Sequence, residues 1–279
     1  MGAVERRTDL AEFLRARRAA VSPAAVGLPG GPRRRTPGLR REELAMLAGV
    51  SVTWYTWLEQ GRPINVSRDV LDALARTLAL TPAEHDHLLA LAGPATSTVS
   101  EFAVSDAGAP DALMRLLDAM EPQPSYILGP GWQFVAWNRA QSLLFPVLDT
   151  LPVEEQNLMW VVFARPEARA LIDGWPTEAR RMLAEFRADT AARRDDPAVV
   201  ELVGRLREAS PEFATWWADH DVARFRTRLR RFHHPRAGDL VFEFQQLAPT
   251  EWPQLRLVCQ LAVPGDDSAQ RLAAWHQTF

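Results

Sequence analysis

The chain's 279 residues exceed one minimal domain and suit two. With 47% apolar and 24% charged residues it has the composition of a soluble globular protein, which excludes a disordered, collagen-like or disulfide-scaffold chain. All 32 basic residues are arginine, and their placement is uneven: residues 1–94 carry 13 Arg against 10 acids, the remainder 19 against 25. The window 15–41 holds eight arginines and no acid, the asymmetry of a nucleic-acid-binding head on a body of another kind.

In chain order, Leu10, Phe13 and Leu14 form an apolar stripe at helical spacing that stops near Ser22-Pro23. A Gly/Pro-rich loop, GLPGGPRRRTPGLR, precedes a helix from about Arg40 to Ala48 that Gly49 breaks. Ser51 is the expected N-cap of the next helix, VTWYTWLEQ, which Gly61 ends. A fourth helix starts at Ser67 with Val70, Leu71, Leu74 and Leu78 on one side. Thr81-Pro82-Ala83-Glu84 is a capping box that opens a fifth, to about Ala92. Residues 1–94 are therefore expected to form an all-α, five-helix domain.

Residues 95–109 are small, polar and aperiodic, a linker in this reading. Beyond it come a helix at DALMRLLDAM and a β-hairpin, Tyr126–Leu128 and Trp132–Trp137 around a Gly-Pro-Gly turn. Helical patterns fill Arg139 to Ala218, with a capped start at Ser210-Pro211-Glu212. Strands return at about Phe225–His233, Leu240–Leu247 and Leu255–Val263, and a final helix covers about Ser268–Trp275. Strands at both ends with helices between predict an α+β domain over 110–279 whose sheet joins distant segments.

The strongest functional signal is the stretch from Glu42 to Gly61. A helix-turn-helix needs a small residue where its helices touch, which Ala45 supplies. Its tight turn needs a residue tolerant of left-handed φ four positions later, which Gly49 supplies. Val50, Tyr55 and Leu58 are placed to hold the second helix down. That helix can then enter the major groove of duplex DNA.

The helix-turn-helix followed by Leu58-Glu59-Gln60-Gly61 resembles the XRE, phage-repressor-like class. The string from Arg33 to Ala45, the helix Leu71–Arg76, Ser210-Pro211-Glu212-Phe213 and Trp216-Trp217-Ala218-Asp219-His220-Asp221-Val222 resemble the MmyB-like regulators of actinobacteria and relatives, over nearly the whole chain. The resemblance implies an N-terminal XRE domain and a C-terminal PAS-like ligand-binding domain. In the geometry of that class Val52, Thr53 and Trp57 meet base edges, the first two through a thymine methyl. Trp57 stands where a polar or basic residue is expected. Ser51, Arg41, Arg62 and Arg33, Arg34 and Arg35 are placed to hold phosphates. The expected partner is operator DNA, bound by a homodimer on two half-sites roughly one helical turn, about 34–36 Å, apart.

Eight of the ten tryptophans lie beyond residue 131, a load that suits a cavity for a small apolar ligand, fatty-acid-like or polyketide-like. The candidate wall is Trp137, Phe163, Trp216, Trp217, Phe242 and Phe244, with Asn138 donating to a head group and Arg224 pairing with a carboxylate. The competing reading makes this domain a protein-interaction or dimerisation module with no small ligand. An enzyme is not expected: His220-Asp221 and His233-His234 lack the further residues a metal site needs, and His85 and His87 lie on opposite helix faces. No cofactor and no metal are expected. No run of about 18 apolar residues crosses a membrane. The opening MGAVERRTDLAEFLRARR lacks a signal-peptide core, and lone Cys259 reads as a small buried hydrophobe, so the expected setting is the cytoplasm.

Overall fold

The computed structural model describes residues 2–29, 38–93, 109–193, 195–268, 271 and 274. They fall into two compact units, one of residues 1–96, 187–200 and 216–224, the other of 97–186, 201–215 and 225–279.

The first unit holds five N-terminal helices, α1 (Gly2–Ala20), α2 (Arg41–Ala48), α3 (Val52–Glu59), α4 (Arg68–Thr77) and α5 (Pro82–Ala92). Three of their starts, those of α3, α4 and α5, are the expected caps. The Ser51 hydroxyl accepts from Trp54 N at 3.1 Å, Ser67 caps α4, and Thr81 and Glu84 form a reciprocal capping box on α5. Phe13, Leu14, Leu39, Leu44, Ala45, Tyr55, Leu74 and Leu88 are fully buried in one core. Gly49 lies at φ 70° with open space where a Cβ would stand, so the left-handed backbone is what requires glycine there. Val50 N reaches back to Ala45 O at 2.9 Å and closes the turn. Gly38 has a different reason: a Cβ would lie 2.4 Å from the carbonyl oxygens of Arg18 and Ala19. That close approach lets Leu39 N bond Arg18 O at 3.0 Å.

The second unit is α+β. Its elements are α6 (Asp111–Ala119), the hairpin β1 (Ser125–Leu128) and β2 (Phe134–Trp137), then α7 (Arg139–Leu144), α8 (Leu158–Ala164), α9 (Pro166–Leu171) and α10 (Trp175–Thr190). Next come α11 (Pro197–Ala209), α12 (Pro211–Trp217), and strands β3 (Arg228–His234), β4 (Gly238–Leu247) and β5 (Arg256–Ala262). Parts of α10, α11 and α12 lie in residue ranges of the first unit. All strand pairs are antiparallel in the order β2-β1-β5-β4-β3, so the sheet joins the early hairpin to the late strands through Tyr126 opposite Val258.

Alternation gives the sheet two faces. On one, Ile127, Ala136 and Leu257 pack with Leu113 and Leu117 of α6. Residues of the other face, Tyr126, Phe134, Arg230, Phe232, Phe244 and Gln260, meet Gln141, Leu158, Val161 and Met182 of α7, α8 and α10. Cys259 is buried, as expected. Of the expected last helix, 268, 271 and 274 are helical, and its other residues lie outside the described set.

Candidate functional site

In the helical head, Ser51, Val52, Thr53 and Trp57 of the second helix of the turn are exposed, while Tyr55, Leu58 and Glu59 are buried. What fixes that helix is an ionic cluster at its C-terminal end. The Glu59 carboxylate, wholly buried, accepts from Arg18 Nε at 2.6 Å, Arg41 Nε at 2.5 Å and the Tyr55 hydroxyl at 2.7 Å. Burial by itself would raise the Glu59 carboxyl, but these donors outweigh it and hold it below the usual carboxylate range. Burial, and then the charge and hydrogen bond of Glu59, drive the Tyr55 phenol far up. Arg18 also donates to Leu39 O at 2.8 Å, so one side chain ties α1, the arginine loop and α3 together.

Arg62 lies over the Trp57 ring at 5.6 Å, joining two of the expected contact residues in a cation–π pair. Arg41 divides its role: its side chain is 44% exposed, yet its Nε belongs to Glu59. Arg33, Arg34 and Arg35 lie outside the described residues.

The second unit holds two adjoining, partly open cavities of ≈ 20 Å³ each, room for about one water apiece. They share Tyr126, Leu158, Met182, Arg230 and Phe244 as walls. The first also takes in Gln141, Phe145, Phe232 and Gln260. A charged set lies beside them. Arg228 donates to Glu185 at 2.5 Å and to Glu178 at 3.2 Å, and Arg181 donates to Glu178 at 2.9 Å. The buried Arg230 guanidinium lies 4.1 Å over the Phe244 ring, with Nε 3.2 Å from Glu178. Burial first, then neighbouring Arg228, lowers the Arg230 pKa. Burial raises the Glu185 carboxyl in spite of Arg228, and pushes the Tyr126 phenol up to about 12.

A family model for the MmyB-like transcription regulator ligand binding domain matches residues 109–274, and one for a helix-turn-helix domain matches 9–88. The chain belongs to the MmyB-like transcription regulators. No curated protein matches it. The MmyB-like regulator is thus a DNA-binding transcription regulator with a C-terminal ligand-binding domain, and no described helix is long and apolar enough to cross a membrane.

Of the side chains expected around a ligand in this MmyB-like chain, Phe244 walls both cavities. The others occupy different places. Asn138 is buried but spent: its carbonyl accepts from Ser125 N and Gln141 N, its amide donates to Leu117 O and Gln123 O, and nothing is left for a head group. Trp137 turns its indole N–H to Ser142 and Asp149. Phe163 packs edge-on against Trp175 and Phe213, and Phe242 against Phe232, as ordinary core. Trp216, Trp217 and Arg224 fall in the residue ranges of the first unit. There Trp217 lies under Arg187 at 4.1 Å, and Arg224 is an exposed partner of Asp86.

The histidines of the regulator are dispersed. His220 Nδ1 accepts from Arg187 at 3.1 Å, and burial, then Arg187, lowers its pKa to about 4. His233 pairs with Asp239 at 2.7 Å, and His85 with Asp72 at 2.7 Å. Among the described residues no three His, Cys, Asp or Glu side chains could share a metal.

Sequence reasoning missed Tyr126, Arg230, Gln141 and Gln260. One signal was available: in RLRRFHH the inward positions of a period-2 strand include Arg230 together with Phe232. An arginine on the core side of a strand calls for a partner that composition does not supply.

Proposed function

We propose that the regulator binds operator DNA as a homodimer through α3 and is controlled by a small, largely apolar molecule, fatty-acid-like or polyketide-like, held in a PAS-like C-terminal domain. The observation that carries the DNA half is the solvent face of α3. Val52, Thr53 and Trp57 are exposed on a helix pinned from beneath by Glu59, with Ser51 at its start and Arg62 stacked on Trp57. Ordered, exposed side chains on a fixed helix are what direct readout requires. The ligand half is supported by the cavities around Arg230 and Phe244. Control follows when the ligand favours one of two arrangements of paired heads, because a ligand shifts only equilibria whose states it binds unequally.

Footprinting tests the DNA half: two half-sites protected together on duplex DNA are expected, and protection of a single unpaired half-site at saturation removes the homodimer. Thr53→Ala should cost on the order of 1–3 kcal/mol at the operator and little on unrelated DNA. Arg62→Ala should weaken all sequences alike and reduce the salt slope by about one. An unchanged preference among operators in Thr53→Ala removes α3 as the reading helix. The second reading, a protein-docking C-terminal domain, has exposed Leu229, Leu247 and Leu261 on β3, β4 and β5 in its favour. It takes over if protein purified from its own host carries no added mass in native mass spectrometry.

A further inference from the structure

We infer that the cavities around Arg230 admit a compact organic acid that also carries a hydroxyl or N–H donor, with Arg230 and Tyr126 holding the acid group and Gln260 accepting from the donor. The inference rests on the ligand-binding reading above and replaces its fatty-acid-like or polyketide-like molecule with a compact hydroxy acid.

Unmet hydrogen-bonding capacity is the first reason. Protein interiors leave few buried polar atoms without partners, and each exception calls for an explanation such as a missing ligand. Here two, Gln260 Oε1 and Arg230 Nε, lie around one cavity. Gln260 is 1% exposed; its amide nitrogen donates to Gln141 at 2.6 Å, while its Oε1 has no partner. Arg230 is buried and makes no hydrogen bond among the described residues, although Glu178 lies close enough to Nε for an ion pair. Tyr126, also buried, lines both cavities and brings a phenol to them. The guanidinium and the phenol are donors and the amide oxygen is an acceptor. Their complement is an acid with a donor attached.

Charge is the second reason. Arg181, Arg228 and Arg230 surround two carboxylates, Glu178 and Glu185. Arg228 and Arg181 take the hydrogen bonds those carboxylates accept, and Arg230 is left with an ion pair to the Glu178 they already engage. One anion completes the set. Stacking on Phe244 covers a face of the guanidinium and leaves its edge, with its N–H groups, for a planar acid.

Size is the third. Each cavity has room for one water, and the two share Met182 and Phe244 as walls. Turning the unbranched Met182 side chain joins them without moving the sheet, since methionine is the side chain that adapts most readily. The joined space still holds only about two waters, so even a ring-sized body between Phe134, Phe145 and Phe232 needs α8 and α10 to give. An extended chain would need them to part further from the sheet.

The test is binding of 2-, 3- and 4-hydroxybenzoate, benzoate, the methyl esters and dodecanoate to the full-length protein, read by tryptophan fluorescence and calorimetry. At least one hydroxybenzoate should bind, roughly tenfold or more tighter than its ester, and Arg230→Gln should remove roughly 10- to 100-fold of acid binding while leaving the ester unchanged. Gln260→Leu should erase the preference for the hydroxyl-bearing acid over benzoate. Arg230→Met keeps the test independent of folding: Glu178 retains Arg181 and Arg228, so its melting temperature should match or exceed that of the parent while acid binding is lost. Equal binding of acid and ester, undiminished acid binding by Arg230→Gln, or a preference for dodecanoate overturns the inference. So does silence toward every hydroxybenzoate. The ligand-binding reading falls separately, if protein from its own host retains no molecule of any class.

Discussion

Two ionic clusters of nearly the same composition lie in the two units, and they are finished differently. In the head, Arg18, Arg41 and Tyr55 converge on Glu59, and every one of them donates to it. In the C-terminal unit, Arg228 and Arg230 stand beside Glu178, Glu185 and Tyr126, yet Arg230 Nε and neighbouring Gln260 Oε1 keep hydrogen-bonding capacity unspent. A fully satisfied buried network rigidifies what it joins. The first therefore reads as a fixture for α3, the second helix of the turn. The second is costly in the free protein, and a bound acid would offset that cost.

The sharpest way to break this comparison is to remove Glu59. Glu59→Ala leaves Arg18 and the Tyr55 hydroxyl buried without their acceptor, so it should cost about 3–5 kcal/mol in urea denaturation. A loss below about 1 kcal/mol would mean that the cluster does not fix the head.

The second cluster should split by residue. Arg228→Met strips Glu185 of its hydrogen-bonded partner and should cost about 2–3 kcal/mol. Arg230→Met should change stability by less than about 1 kcal/mol, or increase it. Equal losses at the two positions would make Arg230 a structural residue like Arg228.

The two glutamates should also respond to acid in opposite senses. Glu59 is held below its ordinary pKa of 4.5, so its contribution is complete above that value and disappears as the pH falls through the lower, folded value. Glu185 is raised, so the folded protein takes up its proton first. Its contribution is complete below 4.5 and is lost as the pH rises through the higher, folded value. Stability measured against pH in Glu59→Gln and Glu185→Gln should lose these slopes selectively, the acid-side slope in the first and the slope above 4.5 in the second.

The smallest effect concerns a single cap. Ser51→Ala removes the acceptor for Trp54 N at the start of α3 and should cost about 1 kcal/mol. Because the Glu59 cluster holds the other end of that helix, DNA affinity should fall by no more than about tenfold. A complete loss would place Ser51 among the phosphate contacts rather than in capping alone.

Local sequence determined most of the fold. Ser51, Ser67 and Thr81 cap helices because a short side-chain oxygen can meet an orphan N–H at a fixed chain distance, which needs no tertiary information. Gly49 is dictated by its left-handed φ, and β3 announces itself by alternation. The helix-turn-helix was legible for the same reason, since Ala45, Gly49, Val50 and Tyr55 lie within eleven consecutive positions. What only the tertiary structure decided is which side chains meet across long sequence distances. Gln141 reaches Gln260 across 119 positions, Arg228 reaches Glu185 across 43, and Arg18 reaches Glu59 across 41. Asn138, next to a tryptophan at a strand-to-helix junction, resembled a ligand donor in sequence, and the fold spent it on four backbone groups. Composition showed that aromatic rings and arginines were plentiful in the second half of the chain. Which arginine would be shut inside without a hydrogen-bonded partner depended on the order β2-β1-β5-β4-β3, because that order turns the inward face of β3 toward Tyr126, Phe244 and the helices.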